Sequence, residues 1–141
     1  MAYLLYPTNA SLYFHNELAS VLENADGYAH IDWNPVPVHS PALRAVAEQV
    51  LRLLSTAGFT KILSDHQLLS PLLLPDQRWL TEEWVPRAVV EVGLRHCAIV
   101  KDYDLIAHSN AAQIVQHLSA YPVTLRFFEE QSLATHWLHG V

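Results

Sequence analysis

A chain of 141 residues is the size of one ordinary domain, read here as a single domain over residues 1–141, and can bury roughly two thirds of the surface it would expose unfolded. Apolar residues make up 51% of it and charged ones 16%, which excludes disorder and leaves a lightly charged, rather apolar surface. The formal charge is −6, and the eight Lys and Arg are scattered from Arg44 to Arg126, so no basic stripe exists for a phosphate backbone and nucleic acid is not an expected partner.

The amino terminus, MAYLLYPTNA, lacks the basic flank and long apolar segment of a secretion signal. No apolar run approaches the ~18 residues of a membrane span. No transmembrane segment is expected, and the expected location is the cytoplasm. AYLLY, SLYF and ASVLE predict short strands. The turn NADG leads into YAHIDW, which alternates Ala29, Ile31 and Trp33 on one face with Tyr28, His30 and Asp32 on the other. Asp26-Gly27 suits a hairpin because glycine accepts positive φ. NPVPVHSP holds three prolines and reads as a stiff connector, since proline cannot donate to a sheet ladder.

Ser40 as cap and Pro41 at the first helical position predict a helix start. Leu43, Val46, Ala47, Val50, Leu51 and Leu54 form one apolar face, closed by Gly58. TKILSD predicts a strand. DQRWLTEEWVPRAVVEVG, residues 76–93, reads as an amphipathic helix interrupted by Pro86, whose ring opposes the carbonyl of Glu82. Two short helices at an angle, or one kinked helix, are expected there. Leu80 and Trp84 share a face, with Trp79 toward its rim.

HCAIVKD predicts a strand covered on both faces. Its Cys97 is the single cysteine, which permits no intramolecular disulfide and reads as a buried structural thiol. SNAAQIVQHLSAYP predicts a helix capped by Ser109 or Asn110, with Ala111, Ile114, Val115 and Leu118 inward and Pro122 beyond its end. VTLRFF predicts a strand. EEQSLATHWL predicts a final helix with Leu133, Ala134, Trp137 and Leu138 inward and acids in its first turn. The order implies a three-layer α/β sandwich with about four helices, its mixed sheet combining an antiparallel amino-terminal hairpin with parallel carboxyl-terminal strands.

The segments KILSD, DQRWLTEEWVPRAVVEVGLRHCAIV and TLRFFEEQSLATHWL resemble the small bacterial STAS-like proteins related to the sporulation anti-sigma-factor antagonist, a group also related to the CRAL-TRIO lipid-binding domains. The resemblance runs over about residues 28–138 and is most specific in W-L-x-x-E-W-x-P-R-A and in the FF-acid-acid-to-W-L ending. It implies a non-catalytic regulatory or interaction domain needing no cofactor. Classical antagonists are switched by phosphorylation of a serine in an Asp-Ser-Gly motif after a central strand. The corresponding stretch here is SDHQLLSPLLLPDQ, without that motif; Ser70 is the nearest serine by position and the candidate phosphorylation site, with a turn-forming Ser-Pro pair as the alternative account.

LLSPLLLP, residues 68–75, puts five leucines where a polar loop is expected. Such a loop folds back on the core, is covered by a partner or a second copy of the chain, or lines a pocket for a small apolar, lipid-like ligand. Leu72, Leu73, Trp79 and Trp84 are the candidate docking anchors. An enzymatic reading rests on the ends of the parallel strands, where open α/β folds place ligands. These ends carry Asp65 and His66, then Lys101, Asp102 and Asp104, then Glu129 and Glu130. Asp65, His66 and Asp102 would have to converge within hydrogen-bonding reach. The nine histidines show no metal-binding motif. His136 and His139 have helical ligand spacing but also suit a helix carboxyl terminus, and His30 and His96 read as packing residues.

Overall fold

The computed structural model describes residues 9–141; the expected AYLLY strand lies outside them. Among the described residues six strands form one sheet in sequential order. β1 (Ala10–His15), β2 (Ala19–Asn24) and β3 (Tyr28–Trp33) are antiparallel. β4 (Lys61–Asp65), β5 (His96–Val100) and β6 (Thr124–Phe128) continue parallel from β3. Gly27, at φ 98°, makes the β2–β3 turn possible.

Right-handed crossovers between strands that add in one direction place every crossover helix on one face. That face carries α1 (Ser40–Ala57), the long helix before β5, and α4 (Leu105–His117). They pack on Ala29, Ile31, Ile62, Cys97, Ile99 and Leu125. Among the described residues only α5 (Gln131–Gly140) crosses to the other face, where Ala134 and Leu138 cover Tyr28, Leu63, Ala98 and Val100. The expected three layers are thus present but unequal, with a thick helical layer on one side and one helix on the other.

The helix before β5 is continuous through Pro86. α2 (Leu74–Trp79) passes into a π-helical turn (Leu80–Trp84) and then α3 (Val85–Val92). Backbone angles stay helical across both junctions, and the Val85 N–H bonds to the Leu80 carbonyl, five residues back. Widening the helix by one residue accommodates the missing proline donor without a break, so of the two expected forms, angled helices or one interrupted helix, the chain takes the single helix, its irregularity a π-turn.

Four local expectations shift. The cap of α1 is His39, because the Ser40 hydroxyl donates instead to the buried Asp76 carboxylate at 2.6 Å, tying the starts of α1 and α2 together. α4 begins earlier than Ser109: Asp104 is its cap, accepting from the Ile106 and Ala107 N–H groups at 2.9 and 3.0 Å. Glu130 is the cap residue of α5 without a side-chain bond, so the acids precede its first turn. Leu133 on α5 is half exposed rather than inward.

Candidate functional site

Two features converge at the carboxyl ends of β4 and β5. The first is a cavity of about 120 Å³ between the sheet and the helical layer. Ile62, Ile99 and Leu125 form its floor, Val46 and Val50 of α1 one wall, and Leu80 and Trp84 another. Opposite them α4 presents Ala107, Ala111, Ile114 and Val115. Small side chains at the two α4 positions nearest the sheet leave the space unfilled. An outer groove between the α2–π segment and α4, lined by Gln77, Thr81, Gln113 and Ile114, lies above it; Ile114 borders both.

The second feature is a chain of polar groups at the cavity's end. The Trp33 indole N–H donates to Ser64 Oγ at 2.9 Å, and Ser64 Oγ lies 2.8 Å from His66 Nε2. His66 Nδ1 is 3.4 Å from one oxygen of Asp102, and His108 Nδ1 of α4 is 3.7 Å from the other. The Asp102 side chain is wholly buried, and neither oxygen has a close, well-aligned hydrogen bond. A buried carboxylate without such bonds is costly, so its two flanking imidazoles are its electrostatic partners and bind three segments together: the loops after β4 and β5, and α4. Ser64 and His66 line the cavity, whereas no Lys, Arg, Asp or Glu does.

His66 and Asp102, named from strand-end position, are therefore adjacent. Asp65 is not with them. Strand alternation turns it to the opposite face, in register with Asp32, and its carboxylate accepts from the Gln67 N–H. On that face burial, then the charge of Asp65, raises the Asp32 pKa; burial lowers the His30 pKa, with Asp65 opposing it. The remaining strand-end charges have structural partners: Lys101 pairs with Glu129 at 2.6 Å, and Asp104 caps α4. Ser64 and Trp33 were not singled out as functional in the sequence. Their signal is the two-residue spacing of Ser64 and His66, which puts both on the cavity side at a strand end.

The bonding order Ser64–His66–Asp102 is that of acyl-transfer enzymes. Ser64, however, sits inside a strand paired on both edges. The backbone N–H groups of that strand are committed to the ladders, and the donor that reaches Ser64 Oγ is the Trp33 indole. Cys97 also borders the cavity; burial pushes its thiol pKa up to about 12, far from the reactive thiolate form. Among the described residues, no group of three or more His, Cys, Asp or Glu side chains is arranged to hold a metal ion. His139 at the end of α5 reaches Asp26 at 3.3 Å instead, and His96 stacks edge-on against Trp137.

The candidate anchors separate. Trp84 is buried, its indole donating to the Ala47 carbonyl at 2.8 Å, so it joins the π-turn to α1 and is not available for docking. Trp79 is half-buried under the Arg44 guanidinium, 4.9 Å from its ring centre. Leu72 turns inward to the cavity, and its N–H bonds to Asn110 of α4. Leu73 remains exposed, together with Leu68 and Leu74. Ser70 is half-buried in the irregular loop and is not adjacent to the α2 start. No helix among the described residues is long and apolar enough to cross a membrane. No family model, curated protein or solved structure matches the chain.

Proposed function

We propose that the protein is a non-catalytic regulatory module of the STAS-like type that docks a protein partner on the rim at the carboxyl ends of β4 and β5. One observation carries this reading. Of the twelve large apolar side chains exposed among the described residues, six belong to this rim: Leu68, Leu73, Leu74, Tyr103, Leu105 and Ile106. Leu105 is 84% exposed and Tyr103 72%. The loops that bear them are fastened to one another, with the Tyr103 N–H donating to the Gln67 carbonyl and the Gln67 amide to the Tyr103 hydroxyl. Apolar residues presented on braced loops are pre-organised for a partner, and their concentration at one end is what monomers avoid.

The resemblance in the W-L-x-x-E-W-x-P-R-A segment supports the same reading, as does the commitment of the Ser64 backbone to the sheet, which argues against acyl transfer. The docking residues differ from the four anchors the sequence suggests: Leu73 stays, and Ile106 and Leu105 of α4 replace the inward-facing Leu72 and Trp84 and the half-buried Trp79. The test is affinity capture from cells that naturally express the protein, comparing the wild type with a Leu73→Glu/Ile106→Glu variant. A partner retained by the wild type and lost by the variant supports docking at the rim. A partner retained equally by both places the interface elsewhere.

A further inference from the structure

The cavity supports an inference that stands independently of the rim: we propose that it is a binding site for a neutral molecule about one ring in size carrying a single hydroxyl group. Its 120 Å³ is comparable to apolar interior cavities of about 150 Å³ that take up benzene. It is well below the roughly 300–1,000 Å³ of pockets that hold drug-sized ligands, so a long acyl chain does not fit.

Charge is restricted by the lining. No Lys or Arg borders the cavity, and the buried Asp102 carboxylate stands behind His66. An anion would meet no Lys or Arg there and would approach that carboxylate. A cation would lose its hydration with no carboxylate in the wall.

The hydroxyl follows from the valence of Ser64. Its oxygen has one proton and two lone pairs, and the Trp33 N–H occupies one lone pair. When His66 Nε2 accepts the Ser64 proton, the second lone pair is left to receive a ligand O–H. When Nε2 carries a proton and donates, the Ser64 proton is left for a ligand oxygen. A hydroxyl, which both donates and accepts, satisfies either arrangement; a hydrocarbon satisfies neither. Access runs between the α2–π segment and α4, where Ile114 separates the outer groove from the interior.

The experiment is an amide-resolved NMR titration of the whole chain with phenol, toluene and benzoate. Phenol is expected to shift the amides of Ser64, Ala107, Ala111 and Ile114 saturably. Toluene should bind about fivefold more weakly for want of one hydrogen bond, and benzoate should leave these amides unmoved. Ser64→Ala should bring phenol down to the toluene level. Ala111→Leu, which fills the space, should abolish binding while cooperative melting is retained. If Ser64→Ala does not fold, the wild-type difference between phenol and toluene reads the hydroxyl preference by itself. Absence of saturable shifts with phenol, equal affinity for toluene or benzoate, or unchanged binding in Ala111→Leu would each overturn the proposal.

Discussion

α1 and α4 are both crossover helices on the same face of one sheet, yet they are built to different standards. α1 runs 18 residues and buries eight side chains, among them Leu43, Val46, Val50, Leu53 and Leu54. α4 runs 13 residues and buries two, both alanines. Burying large aliphatic side chains is the main source of stability in a domain of this size. α1 is accordingly a structural element, fastened further by Trp84 through Ala47. α4 is held at points: the Asp104 cap, the Leu72–Asn110 bond, the His108–Asp102 contact and buried Leu118 just past its end. Ile114 and Val115 add partly buried contacts to the core. Of these two helices, the one that contributes less to the core borders the cavity and carries the exposed Leu105 and Ile106.

That contrast can be broken by substitution. Leu54→Ala should lower stability by about 3 kcal/mol in chemical denaturation, because a fully buried leucine leaves a cavity beside the sheet. Ile114→Ala should lower it by only about 1 kcal/mol, since that side chain already borders empty space. Equal losses would refute the distinction. Asp104→Ala should cost about 1 kcal/mol through loss of the helix cap. In native-state hydrogen exchange its effect should be confined to α4, leaving α1 protection unchanged.

Smaller effects come from the α5 face of the sheet, where neither α1 nor α4 reaches. Burial holds the His30 pKa below its ordinary 6.5, with Asp65 opposing the shift. The folded state thus prefers the neutral imidazole, and the associated stability is complete above 6.5 and is lost as pH falls through the folded value. Melting temperature should fall between about pH 7.5 and about pH 5.5, and His30→Gln should flatten that slope. His96, whose pKa is also lowered by burial and then by Lys61 and Arg95, keeps its share in the variant. Asp32 has the opposite sign. Its pKa is raised, so its contribution is present below its ordinary 3.8 and is lost as pH rises through the folded value. Asp32→Asn should therefore raise the melting temperature at neutral pH by about 2 °C and have no effect in strong acid.

How legible each region was in the sequence follows the same contrast. β3 and α1 could be read closely because one face is buried throughout, so Ile31 and Trp33, or Leu43 through Leu54, repeat at the period of their element. α4 was legible only in part. Its inward positions near the start are alanines, which give a weak periodic signal, and Asp104, which reads as a strand-end charge, is the cap. Pro86 signals an irregularity, but whether the helix bends or widens there depends on tertiary packing, such as the Trp84 indole bond to the Ala47 carbonyl, which EEWVPR alone does not show. For the site, position at a strand end identified His66 and Asp102. Their meeting depends on the β4–β5 register, Asp65 opposite Val100, which is a tertiary property. Register also explains why Asp65 parts from them, since adjacent residues of a strand face opposite ways.

The most direct test of the claim that the α4 end is the binding end is site-specific photo-crosslinking in cells that naturally express the protein. A benzophenone amino acid replaces Ile106 on α4 or, as a comparison, Val90, which is 82% exposed on the outer face of α3. The account predicts a discrete covalent adduct from position 106 and none from position 90. No adduct at 106, or the same adducts from both positions, would contradict it.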